Sequence, residues 1–371
     1  MPLTPAVRFA VHRPTFSTAL LPFLKGMPDH ADLAPFHRGA MAALAGADVI
    51  HTTDCHFAFA KTAVKAARKY GAALVNSLHT DNVGYTRVFA EQLMRRYAGN
   101  GALARLLIDR LRLPERLEGG KRREFAAHLA WCDRLMASTN DDLNALARLV
   151  GTRRPASSER RVSVLRRGID TARFHAGRGD RARLRRHLGL PDERPIMLFV
   201  GRIDRSKNVA TLAHAARLLL DRGERLHVAF AGQGSQRAEI EPLLGRDATF
   251  LGSLSQDELA WLYASSDLFV FPSRLDIAPN VVVEAKASGL PVVVAPNGGD
   301  RFVRSSGVDG IIVTDESPAA WADAIAALLT DPARRAAIGA AAAQDLRARF
   351  PTWDQVLAED VLPVWRGAAR R

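Results

Sequence analysis

The stretch 268-LFVFPSRLDIAPNVVVEAKASGLPVVVAP-296 decides the fold. It opens on a run that is apolar throughout, passes through a short polar loop to Pro279, continues as the helix-like NVVVEAKASG, and returns to a second wholly apolar run, PVVVAP. A strand without polar alternation has to be covered on both faces, and two such strands joined by a helix lie parallel in one sheet. Pro279 suits the first helical position, where its missing N–H would be unpaired anyway. Gly289 suits the helix end. Two carboxylates flank the proline: Asp276 in the loop, and Glu284 one turn into the helix on the face of Asn280. A helix start with a carboxylate one turn in can take a phosphate on its N–H groups and hydroxyls on the acid. Read alone, Glu284 serves equally as a complement to the helix dipole.

The same rhythm extends outward from residue 195. PIMLFVGRI, LHVAFAGQG, TFLGSL and GIIVTD are further strand candidates, separated by amphipathic stretches such as NVATLAHAARLLLDRG and SQDELAWLYASSD. This half reads as a doubly wound α/β domain. The first half carries a looser version in DVIHTT, AALVNSLH, RLMAST and RVSVLRRGID, interrupted from about residue 87 to 128 by a basic helical stretch. The expected division is residues 1–170 and 171–351, with the amphipathic tail 352–371 packing back on the first domain.

In doubly wound sheets ligands bind outside the carboxyl ends of the strands. After MLFVG comes RIDRSKN, which places Gly201, Arg202 and Lys207 in a loop leading into a helix. Two cations beside a helix start suit a di- or polyphosphate, although such a pair taken alone is more often solvated surface. After LHVAFAG, Gly232 and Gly234 make a tight turn that permits close approach of a ligand to backbone; the plainer reading is a strand-to-helix turn. In HTTDCH, His51, Asp54 and His56 suggest a metal site, but strand alternation would separate His51 from His56, so no metal is expected.

Composition narrows the classes. The chain has 371 residues, 47% of them apolar, and a net charge of +13 carried mostly by arginine. The arginine bias fits a GC-rich bacterial genome, and the positive field favours anionic partners. Nucleic acid is a poor candidate because the basic residues are scattered and aromatic platforms scarce. Two cysteines outside any CxxC pair point to a reducing compartment, and no signal peptide or membrane-spanning run is evident, so a cytoplasmic protein is expected.

In this order, FVGRIDRSKN, AGQGS, FLGSLSQDELAWLYASSDLFVFPSRLDIAPNVVVEAKASGLPVVVAPNGG and GVDGIIV resemble the C-terminal domain of the family 4 glycosyltransferases. RVSVLRRGIDTARFH resembles that family's interdomain segment and the tryptophan-bearing tail its cross-over helix, while DVIHTTD and AALVNSLHTDNVGYTRVF match more weakly. The resemblance implies a GT-B fold, with two Rossmann-like doubly wound domains facing across a cleft, and retaining, metal-independent transfer from a nucleotide sugar such as a UDP- or GDP-sugar, without a cofactor. It implies that Arg202 and Lys207 bind the donor pyrophosphate beside Gly201, Gly232 and Gly234. Asp276 would hold the transferred sugar, where the family's E-x7-E motif has its first glutamate. Glu284, with Asn280 and Val281 at the helix start, would hold the nucleoside side. His79 falls where the family often has a histidine near the donor sugar; a buried structural histidine is the alternative. The acceptor is expected to be a lipid, glycan or small-molecule hydroxyl and the activity that of a hexosyltransferase of the cell envelope; the basic helical stretch could rest on anionic membrane at the inner face, a solvated helical face being the plainer reading.

Two departures matter. Where the family has glycine before the Asn-Val-Val of its second motif, this chain has Pro279, which removes one backbone donor. Asp48 also comes early, leaving no strand and glycine-rich turn before it, as if the amino end were truncated. These motivate the alternative of a catalytically weak homologue that binds a nucleotide sugar or a partner without turnover.

Overall fold

The computed structural model describes residues 8–21, 32–78, 82–99, 101–138, 144, 146, 162–191, 193–274, 276 and 279–370. The chain forms two compact units, Met1–Arg166 with Leu357–Arg371, and Arg167–Val356.

The first unit holds four parallel strands, β1 (Val49–Thr52), β2 (Ala73–Leu78), β3 (Arg134–Ala137) and β4 (Val162–Val164), adjacent in chain order. The helix Ala58–Tyr70 buries Ala58, Ala60, Thr62, Ala63 and Ala66 along one stripe and stops at Gly71 in the left-handed region. The basic stretch is helical in pieces. Asn82–Ala98 and Leu113–Trp131 pack together and are joined through Ala102–Arg105 and the π-turn Leu106–Arg110. The terminal helix Leu362–Ala369 packs on β1 and β2, where Trp365 Nε1 donates to His51 Nδ1 at 2.9 Å. Among the described residues of the candidate strand RVSVLRRGID, Val162–Val164 form the strand. Arg166 turns away, its backbone N–H and guanidinium both bonded to Asp360.

The second unit holds six parallel strands: β5 (Ile196–Val200), β6 (His227–Ala231), β7 (Ala248–Gly252), β8 (Leu268–Phe271), β9 (Val292–Val294) and β10 (Ile311–Ile312). Their lateral order is β7-β6-β5-β8-β9-β10, the doubly wound order in which the chain reverses direction between β5 and β8. Every residue of β5, β6, β8 and β9 is buried, as strands covered on both faces require. Phe199 and Phe271 stack across the β5/β8 boundary with ring centroids 6.2 Å apart. The helix Asn280–Ala287 ends in a Schellman arrangement, in which Leu290 N–H reaches Ala285 O, Gly289 N–H reaches Lys286 O, and Gly289 sits at φ 74.

Candidate functional site

The reversal point places two loops side by side at the carboxyl ends of β5 and β8, where an open α/β sheet leaves a crevice. The first loop carries Arg202 and Lys207, the second Asp276.

The β5 loop is organised by an acid. Asp204 is 3% exposed and caps the 3-10 turn Arg205–Lys207, accepting at Oδ1 from Ser206 N at 2.9 Å and from Ser206 Oγ at 2.5 Å. Its other oxygen lies 3.4 Å from Arg202 Nε, and Arg202 Nη2 donates to Ser206 Oγ at 3.2 Å. The guanidinium is thus held against the loop that carries it. Across the boundary, Lys207 Nζ donates to Asp276 Oδ1 at 2.5 Å, and Ser273 Oγ donates to Asp276 Oδ2 at 2.5 Å. The same hydroxyl lies 3.4 Å from Ser206 O, but its one proton goes to the nearer Asp276, so the tie between the two loops is the Lys207–Asp276 pair.

Pro279 takes the position just before the helix rather than its first turn, with φ −72 and ψ 110, and Asn280 is the first helical residue. The difference is one residue, and it matters: the N–H lost to proline lies outside the helix, while Asn280 and Val281 keep theirs with no side-chain cap over them. Asn280 is exposed and Val281 half-buried. One turn in, Glu284 accepts from Tyr263 Oη at 3.2 Å. Burial pushes the Glu284 carboxyl up from its ordinary value and raises the Tyr263 phenol well above its own.

Gly232 and Gly234 have their own reason for being glycine. A Cβ on Gly232, which sits at φ 142, would stand 1.8 Å from Gly201 O, and one on Gly234 would stand 2.2 Å from Ile203 O. The space that sequence reading offers to a ligand is filled by the neighbouring loop, with Ile203 N–H bonded to Gln233 O at 2.9 Å. Gly298 makes the matching approach on the other side, where a Cβ would meet Ser273 O at 2.3 Å.

His79 directly follows β2 and lies outside the described residues. His51 and His56 have separate surroundings. His51 is bonded to Trp365, whereas His56 is buried 3.6 Å from Glu124. Asp54 accepts from the N–H groups of His56 and Phe57. Among the described residues, no three His, Cys, Asp or Glu side chains gather in a way that could hold a metal ion. Three contributors escaped sequence reading. Asp204 was visible, since an acid two residues before a serine at a turn is a capping pattern. Ser273 and Tyr263 act through contacts that only the fold creates.

Two parallel α/β units in one chain are the GT-B architecture of glycosyltransferases, and solved structures share it, although here only the second sheet is doubly wound and the four described strands of the first follow chain order instead of the expected reversal. Sucrose-phosphate synthase from Thermosynechococcus elongatus superposes with a TM-score of 0.61 at 21% identity, over 84% of this chain and 71% of that one. Anabaena HepE, solved in complex with UDP and glucose, gives 0.60 at 20% identity, over 89% and 78%. Residues 180–345 match the family described as glycosyl transferases group 1. The D-inositol 3-phosphate glycosyltransferase 1 of Catenulispora acidiphila is 33% identical over 350 residues, 91% of this chain and 76% of that protein. The D-inositol 3-phosphate glycosyltransferase of Thermobifida fusca is 31% identical over 332 residues, 83% of this chain and 69% of that protein. The chain belongs to the glycosyl transferases group 1 family.

Proposed function

We propose that the chain is a retaining, family 4 glycosyltransferase that moves a sugar from a nucleotide-sugar donor to an acceptor hydroxyl. The observation that carries this reading is the Lys207–Asp276 pair, which sets a cation and a carboxylate together at the reversal point of the sheet, 2.5 Å apart. In this reading the anomeric C–O bond breaks with its electron pair leaving on the diphosphate, whose charge Arg202 and Lys207 neutralise. The N–H groups of Asn280 and Val281 point the helix dipole at the same charge. Asp276 receives hydroxyls of the transferred sugar and Glu284 those of the ribose. The acceptor oxygen bonds to the anomeric carbon on the face the diphosphate leaves, and its proton passes to the departing phosphate. Positioning and electrostatic stabilisation then supply the acceleration.

HepE's complex with UDP and glucose supports a UDP-sugar as the first donor to try. The relatives named for D-inositol 3-phosphate support a phosphorylated polyol as the first acceptor. The test is transfer from UDP-, GDP- and ADP-sugars to inositol phosphate, lipid and glycan acceptors, by wild type beside Lys207→Ala. Turnover that Lys207→Ala lowers by about a hundredfold or more supports the reading. Wild type that binds a nucleotide sugar and turns over with no acceptor would replace it with the binding-only alternative, for which Pro279 is one motive.

A further inference from the structure

The helical hairpin of the first unit has an unusual tip. From the last turn of the helix Asn82–Ala98 to the second turn of Leu113–Trp131, the chain leaves Tyr97, Leu103, Leu106, Leu111 and Leu117 between 37 and 58% exposed. Five large apolar side chains within twenty-one residues differ from the singly scattered exposed leucines of ordinary surfaces. Residues 95–123 also carry nine Lys or Arg against three acids. Two of those acids are already engaged, Glu118 with Arg122 at 2.6 Å and Glu115 with Arg112 at 3.4 Å. Arg105, Arg110 and Arg116, interleaved with the leucines, are all exposed.

From this surface we infer that the tip docks the protein on an anionic lipid bilayer, the leucines and Tyr97 entering the headgroup boundary and the arginines meeting lipid phosphates. The combination favours lipid over other occupants. Arginine stems lie along apolar surface while their heads reach anionic groups, and exposed leucines add a contribution that charge alone would not require. No helix among the described residues is long and apolar enough to cross a membrane, so contact would be peripheral. The inference is independent of the transfer reaction, because binding is measured without donor or acceptor.

The experiment is sedimentation of the full chain with vesicles of phosphatidylcholine alone and of phosphatidylcholine mixed with phosphatidylglycerol. The variants are Leu103→Ser/Leu106→Ser and Arg110→Glu/Arg116→Glu, each checked for an unchanged melting temperature. Wild type should bind the anionic vesicles at least about tenfold more tightly than the neutral ones. The arginine reversals should weaken binding about 25-fold or more, at roughly fivefold per cation lost. The leucine pair should weaken it about tenfold or more even where salt has screened the charges. Absence of binding to anionic vesicles, or leucine variants that bind like wild type, would overturn the inference. So would a concentration-dependent dimer that the leucine substitutions dissolve while vesicles are ignored, since the occupant would then be a second copy.

Discussion

Glu284→Gln should make the protein more stable and a poorer ligand binder at once. Burial raises the Glu284 carboxyl above its ordinary 4.5, and the hydrogen bond from Tyr263 only partly offsets it. Between the unfolded and folded values the native chain holds a proton that the unfolded chain has released. Stability is therefore full below about 4.5 and falls as pH rises through the folded value. Glutamine carries no such penalty, and its amide oxygen can still accept from Tyr263 Oη, now at 3.2 Å from Oε2. Without ligand, the variant should melt above wild type at about pH 8, and the gap should close near pH 4. On the proposed reading the carboxylate also accepts ribose hydroxyls. Losing charge-assisted bonds of about 1.5 to 3 kcal/mol would weaken donor binding about 10- to 150-fold. Thermal unfolding at the two pH values and calorimetric titration with UDP-glucose, or with whichever nucleotide sugar proves to bind, read both effects. A lower melting temperature at alkaline pH, or a gap independent of pH, would refute the argument from desolvation. A stabilised variant with unchanged donor affinity would refute the ribose contact.

Acid should weaken each unit through its buried histidines, His128 foremost in the first and His227 in the second. Burial brings His128 down to about 4, with Asp54 and Glu124 opposing and His56 adding to the shift; burial and then Arg194 bring His227 to about 4, against Asp247. Below the ordinary 6.5 the unfolded chain takes up protons that the native one refuses, so stability is full above that value and is lost as pH falls from it toward 4. The loss is about 3 kcal/mol per histidine, measurable by urea unfolding at several pH values, and His128→Leu should flatten the acid limb of its unit. Lys286→Met should destabilise the second unit by about 3 to 5 kcal/mol, because it strands a buried acid. Lys286 is fully buried and bonded to Asp309 at 2.6 Å, Asp345 at 3.2 Å and Phe302 O at 2.5 Å. An unchanged melting temperature in that variant would show that Asp309 is satisfied by the N–H groups of Arg304 and Ser305 alone.

The second sheet was legible because its strands are covered on both faces, which forces each to be apolar end to end, and because loops and helices alternate between them at short range. The first sheet was harder for a physical reason. Arg166 leaves β4 to meet Asp360, 194 residues away, and a Cβ on Gly168 would meet the Trp353 ring at 2.7 Å. Neither partner leaves a local trace in RVSVLRRGID. The same distinction runs through the site. Arg202, Lys207, Asp276 and Glu284 could be picked out from spacing after strands, and Asp204 from its capping pattern. Tyr263 meets Glu284 from a neighbouring helix 21 residues earlier, and the glycine pair is explained by Gly201 O and Ile203 O, contacts that depend on strand order rather than sequence distance.

Strand order also decides how the charges of this site are paired with one another. Each charge has an internal partner: Arg202 has Asp204, Lys207 has Asp276, and the Glu284 carboxyl has Tyr263. Asp204 is 4% exposed at its side chain, Lys207 17% and Asp276 21%, so the two pairs differ in how readily they can open. Asp204 is fixed by its cap and keeps Arg202 in place. Among the described residues Asp276 is held by Lys207, whose side chain is partly exposed, and by the buried Ser273. A diphosphate arriving at Lys207 would compete for its ammonium and release a carboxylate beside the sugar, so that binding the donor itself uncovers the acid proposed to hold it. Pro279 does not interrupt that exchange. It lies one residue ahead of the helix, outside both pairs, and the donor it removes is one N–H, while Asn280 and Val281 still face the same direction with no side chain capping them. What Pro279 removes is therefore a single backbone donor, set against a charge arrangement that spans two loops and the boundary between β5 and β8.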